Sequence, residues 1–188
     1  MEPFRQTMKV SNSSNQHLTF KGRYQMVSLK DLDLLSKGVW FPIIIGIITI
    51  LFMLFMPKRI SWKDIYITFG VVGYVTWMID SGMNQFDSFN LANPKKVGIG
   101  DIISYGIIPS ALAVIYINYL KLDSKWGLVI LFTVISFIIE WGMVQAGYMK
   151  LNGWHTWWSI PVYLIVYGFW LPWHKRLIES AKPKSNRI

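Results

Sequence analysis

The stretch "WGLVILFTVISFIIEWGMVQAGY", residues 126–148, decides the fold. It carries a single carboxylate and no Lys, Arg or His; the carboxylate is Glu140. A helix of about 23 residues rises about 34 Å, enough to cross a hydrocarbon core of about 30 Å. A spanning strand would end after about 10 residues and alternate polar with apolar positions. This run does neither, so it reads as a membrane-crossing helix with a carboxylate inside the bilayer.

Four further apolar blocks flank it: 39–56 ("VWFPIIIGIITILFMLFM", closed by Pro57-Lys58-Arg59), 65–83, 101–120 and 156–173. Each has the length of one span. The expected fold is therefore all-α, a polytopic bundle of five transmembrane helices. Residues 1–38 form a polar N-terminal tail in which "SLKDLDLLSKG" suits an interfacial helix, 39–174 the transmembrane bundle, and 175–188 a basic C-terminal tail. The polar leader is too long for a signal peptide, and no small-residue cleavage site follows it.

Composition agrees. The 188-residue chain is 53% hydrophobic, has ten tryptophans and only 15% charged residues, and carries a net charge of +9. Its lysines and arginines flank the apolar blocks, which points to anionic headgroups rather than nucleic acid. With no cysteine, disulfides, thiolate ligands and Cys nucleophiles are excluded. His17, His155 and His174 have no metal-ligand spacing, and "VGIG" (97–100) lacks the context of a nucleotide loop.

Lys and Arg divide almost evenly between the two faces. Nine lie in the N-tail and the 84–100 and 149–154 loops, and ten in 57–63, 121–125 and the C-tail. Counting only those near the spans tips the C-terminus toward the cytoplasm. In either orientation the second and third helices meet at the same face as the fourth and fifth. Asp80 lies about 24 Å along its helix from Asp64, and Glu140 lies at a similar depth beyond Lys125. Asp80, Asp101, Glu140 and His155 therefore approach one face.

An internal repeat reinforces this placement. "TWMIDSGMNQ" (76–85) aligns with "SFIIEWGMVQ" (136–145), with Ile79/Ile139, Gly82/Gly142, Met83/Met143 and Gln85/Gln145 identical and Asp80 opposite Glu140. "YGIIP" (105–109) resembles "YGFWLP" (167–172), with a small length change. A parallel two-helix repeat, helices 2–3 and 4–5 about an axis along the membrane normal, is one of the arrangements used by transporters. The first helix is then an addition.

The candidate site follows: Asp80, Glu140, Asn84, Asp101 and His155, binding a proton, a cation or a polar solute. An intramembrane carboxylate costs about 2.5–3.5 kcal/mol at mid-bilayer and is a functional candidate by default. Thr133, Ser136, Met143 and Gly147 share the face of Glu140 and should meet protein; Gly73, Thr76 and Asn84 do the same for Asp80. Two ionised carboxylates repel, and no Lys or Arg lies near them in these helices, so a proton or an oxygen-seeking metal ion is the natural companion. The residues specify neither a metal nor a cofactor. Each of these residues also has a blander reading. Glu140 and Asp80 serve as hydrogen-bonded glue, Asp101 as the N-cap of its helix, and His155 as an interfacial histidine. Asn118 makes a helix–helix hydrogen bond, the tryptophans of 154–173 form interfacial belts, and Pro109 and Pro161 kink their helices.

In "MIDSG" (78–82), "GIIPSALAVIYINYL" (106–120) and "FIIEWGMVQAGYMKLNGWHTWWSIPVY" (137–163) the chain resembles a group of uncharacterised small multi-pass membrane proteins of spore-forming Gram-positive bacteria. The resemblance covers roughly residues 64–175 and places Asp80, Pro109, Asn118, Glu140 and Trp154 at that group's characteristic positions. Its acidic residue near helix three sits closer to the proline than Asp101 does. It implies a bacterial cell-membrane protein and brings no established activity. Two functions stay open: binding or passage of a proton, cation or small solute, and a non-enzymatic membrane subunit or assembly factor, sporulation-related, whose carboxylates meet a protein partner or a second copy. No nucleophile–base constellation supports an enzyme.

Overall fold

A computed structural model describes residues 34, 36–84, 89–91 and 98–181. Residues 1–33 and 35 of the N-terminal tail, with His17 and most of the expected interfacial helix, and the end of the C-tail lie outside the described residues. Those described build five helices: α1 Trp40–Phe55, α2 Trp62–Asn84, α3 Ile99–Tyr119, α4 Trp126–Gln145 and α5 over 159–180. The all-α expectation holds, apart from a short ribbon of β1 Phe89–Leu91 and β2 Met149–Leu151.

The helix boundaries follow from local chemistry. α2 starts three residues before the apolar block because Ser61 and Asp64 form a capping box. The Asp64 N–H donates to Ser61 Oγ (3.2 Å), and the Ser61 N–H donates to Asp64 Oδ2 (3.1 Å). α4 ends in a left-handed turn at Gly147, φ +76°. The Tyr148 N–H reaches Met143 O and the Gly147 N–H reaches Val144 O, both at 3.0 Å, the two bonds of a Schellman stop. A side chain at Gly147 would be held in that left-handed conformation, so Gly147→Ala should lower stability by about 1–2 kcal/mol, read as the unfolding free energy of the purified chain.

α3 is the centre of the bundle. Ser110 to Asn118 are all buried, and α1 and α2 pack along it while α5 packs on α4. Among the described residues two helices are long and apolar enough to cross a membrane, α3 and α4; α1 is apolar but shorter. An apolar core is buried along α3, yet many large apolar side chains are exposed and several polar ones are buried. Ile47, Ile48, Leu51 and Phe55 of α1, Ile130, Val134 and Ile138 of α4, and Ile165 and Phe169 of α5 face outward, while Thr68, Asp80, Ser110, Thr133, Ser136 and Glu140 are buried.

Two helices widen into π turns, each just before a proline. In α3 the π segment is Ile102–Ile107, with Pro109 following; in α5 it is Val166–Trp170, with Pro172 following. Pro172 has no N–H, so the carbonyls of Tyr167 and Gly168 lose the donor that it would supply in π or α register. Side chains replace it: Tyr116 Oη donates to Tyr167 O (2.5 Å), and Lys125 Nζ donates to Gly168 O (2.8 Å). Tyr116→Phe should therefore cost about 1–3 kcal/mol by leaving a buried carbonyl unmet, measured by the same unfolding assay. The expected disturbance thus belongs to Pro109 and Pro172. Pro161 lies in the first turn of α5, where a missing N–H costs nothing.

α5 runs to Ser180, beyond the apolar block. Its Lys175 Nζ reaches back to Leu120 O (2.7 Å) at the end of α3. Asn118 does not bridge two helices as expected. Its amide clamps the α1–α2 connection, accepting from the Arg59 N–H (2.7 Å) and donating to Pro57 O (3.0 Å).

Candidate functional site

β1 and β2 lie in the connections that follow α2 and α4, and they pair antiparallel with Phe89↔Leu151, Asn90↔Lys150 and Leu91↔Met149. The two connections therefore meet at one end of the bundle. That end also receives Asp80, Asp101 and Glu140.

Glu140 sits on the buried stripe of α4 with Thr133, Ser136 and Met143, the face expected to meet protein. Its partners come from the start of α5, where Ser159 and Tyr163 are one turn apart. Ser159 Oγ donates to Oε1 (2.7 Å) and Tyr163 Oη to Oε2 (2.6 Å). Behind Ser159 stands Trp154, whose indole N–H donates to Ser159 Oγ at 3.1 Å. An indole can only donate. It therefore takes a lone pair of Ser159 and leaves the hydroxyl proton for Glu140. Trp154 is thus part of this chain of contacts and more than a belt residue.

Asp80 is buried near the end of α2, within electrostatic range of Tyr105 on the π turn of α3. Asp101 lies within electrostatic range of both. It occupies the third helical position of α3, not the N-cap: its Oδ2 reaches back to the Gly98 N–H (2.8 Å), and its Oδ1 accepts from Tyr148 Oη (2.7 Å). Tyr148 gets there because position 100 is glycine; a Cβ there would collide with its hydroxyl.

Glu140 is held by the Tyr163 hydroxyl, and Asp80 lies within electrostatic range of Tyr105. The two tyrosines lie within electrostatic range of each other.

One expected member stands apart, and the side chain of another is not described. His155 is exposed, with its ring edge-on to Trp158 at 5.2 Å between centroids. Asn84 closes α2, but its side chain lies outside the described residues. Among the described residues no three His, Cys, Asp or Glu side chains group to hold a metal ion. Sequence reasoning missed Tyr105, Tyr148, Ser159 and Tyr163. The available signal was spacing: Asp101/Tyr105 and Ser159/Tyr163 are each four apart on the helix that faces a carboxylate.

No family model matches the chain, and no curated protein or solved structure is similar to it.

Proposed function

We propose that the chain is a five-span membrane protein whose buried Asp80–Tyr105 and Glu140–Tyr163 pairs form an intramembrane proton-binding site. The observation that carries this reading is the coordination of Glu140. Both carboxylate oxygens take hydroxyl donors, and among the described residues no Lys or Arg reaches them. A charge held away from water needs neutralising. A hydroxyl can donate to a carboxylate and, by rotating, accept from a carboxylic acid. Glu140 can therefore gain or lose a proton while Ser159 and Tyr163 stay in place, which a Lys or Arg partner would not allow.

The five-span topology and the parallel repeat are supported by several independent features. Apolar side chains face outward on α1, α4 and α5. The ribbon pairs Asn90 with Lys150, residues at the same 60-residue offset that aligns Asp80 with Glu140. An antiparallel pair centred on equivalent positions is what a two-fold axis produces. A π turn before a proline occurs in the second helix of each hairpin. In this reading the resemblance to the multi-pass proteins of spore-forming bacteria is one of kinship.

Cysteine accessibility scanning on this cysteine-free chain tests the topology. Single cysteines in the 84–100 and 149–154 connections should label from one side, and one in 182–188 from the other. Labelling of the two connections from opposite sides would end the five-span reading. For the site, infrared titration of the purified chain should show a carboxylic C=O band that Glu140→Gln removes; an unchanged band would exclude Glu140 as the proton carrier.

A further inference from the structure

At the end of the bundle opposite the carboxylates, a cavity of about 220 Å³ opens between the α1–α2 connection, the last turn of α3 and the final turns of α5. Arg59, Asp64, Lys121, Lys175 and Glu179 supply its charged lining. Three of these groups are already engaged. The Asp64 carboxylate closes the capping box of α2. Lys175 Nζ is drawn to Leu120 O, with Ile117 O at 3.4 Å and Glu179 at 4.0 Å. Arg59 and Lys121 are different. Both are exposed, and among the described residues neither has a carboxylate partner.

The Arg59 guanidinium is not loose, however. It lies over the Tyr119 ring, 5.3 Å from the centroid, while its backbone N–H is locked by Asn118. A guanidinium fixed at a cavity rim presents paired donors of the geometry that a phosphate accepts. Ile60 and Ile178 supply apolar wall beside it, suited to the glycerol that follows a lipid phosphate. The depth is also suitable: the apolar run of α3 ends here, and Lys58 Nζ lies 4.7 Å over the Trp62 ring centroid, a pairing at home in the headgroup layer.

We propose that this cavity binds the phosphate of an anionic phospholipid headgroup, with Arg59 and Lys121 as its charge partners. The proposal rests on the membrane-spanning reading but not on the proton site at the other end.

The test compares melting of the full-length chain in nanodiscs of phosphatidylcholine alone and of phosphatidylcholine with phosphatidylglycerol. The anionic lipid should raise Tm by roughly 5 °C at near-saturating occupancy. Arg59→Gln/Lys121→Gln should melt like the parent in phosphatidylcholine and lose that rise. Lys121→Gln alone, a change on an exposed turn, should lose part of it and serves if the double variant does not fold. Lys58→Gln, outside the cavity, and Glu140→Gln, at the far end, should keep all of it. No rise in the parent, or a full rise in the cavity variants, overturns the proposal. A soluble arm in detergent distinguishes the source of the phosphate. If glycerol 1-phosphate alone reproduces the rise, the occupant is a soluble phosphoester and the lipid assignment fails. Extraction of the native membranes with alkaline carbonate tests the spanning reading separately. Release of the chain would sink that reading whatever the melting shows.

Discussion

Glu140→Gln is expected to insert, fold and melt like the parent protein yet to lose its function, whereas Glu140→Ala should lose roughly 2–4 kcal/mol of stability. The difference follows from the contacts. Glutamine keeps an oxygen for one hydroxyl and an amide for the other, and Ser159 and Tyr163 can each rotate to match. What it cannot do is hold or release a proton. Alanine removes both acceptors at once, leaving two hydroxyls in a buried pocket together with a cavity. If Glu140 were only glue between α4 and α5, Gln would complement a deletion strain as well as the parent does. Complementation, thermal melting and the infrared carboxyl band on both variants separate the cases. A fully active Gln variant would sink the proton reading.

The bundle was legible because its signal is long and cumulative. Five apolar runs, each closed by charge or proline, gave five helices at nearly the expected places, and the stripe of small and polar residues through Glu140 correctly named the buried face of α4. What escaped was local backbone chemistry. The start of α2 is set by Ser61 and Asp64, a two-residue device that hydropathy does not register. The π turns depend on what can replace a missing proline N–H. For Pro172 that replacement comes from Tyr116 and Lys125, both more than 40 residues away in sequence. Pro161 and Pro172 look alike in a string. Only the start of α5 decides that one is harmless and the other is not.

The candidate site was half legible for a related reason. A carboxylate in an apolar helix stands out because it is expensive there, so Asp80 and Glu140 announced themselves. Their partners did not, because a serine or a tyrosine in a membrane helix is cheap and has several ordinary uses. Trp154 was masked by the number of tryptophans around it. His155 misled for the opposite reason: histidine is a familiar site residue and this one lies close in sequence to Ser159, but the turn at Thr156–Trp158 leaves it exposed against Trp158 while carrying the chain on to the hydroxyls that hold Glu140.

Combining Asp80→Asn with Glu140→Gln should give additive effects on stability and non-additive effects on function. Glu140 is held by Tyr163 of α5, and Asp80 lies beside Tyr105 of α3. Removing one charge leaves the hydrogen bonds of the other in place, so the unfolding free energies should sum to within about 0.5 kcal/mol, as for independent sites. Function has a different logic. If the Tyr105 and Tyr163 hydroxyls join the two carboxyl groups into one proton site, either substitution alone interrupts it, and the second has nothing left to remove. Groups that act as a unit behave this way. Either single variant should therefore fall to the residual level of the double variant, read as complementation and as proton uptake per chain in a pH-dye titration. Two half-sites working in parallel would instead leave each single variant with about half the uptake and only the double variant with none. That outcome would keep Glu140 as a proton carrier while dissolving the link through the tyrosines. The proposed two-fold axis makes the comparison sharp, because it gives Asp80 and Glu140 equivalent places. Any asymmetry between the single variants would then have to come from α1, which packs against α3 and α4 and has no counterpart in the repeat.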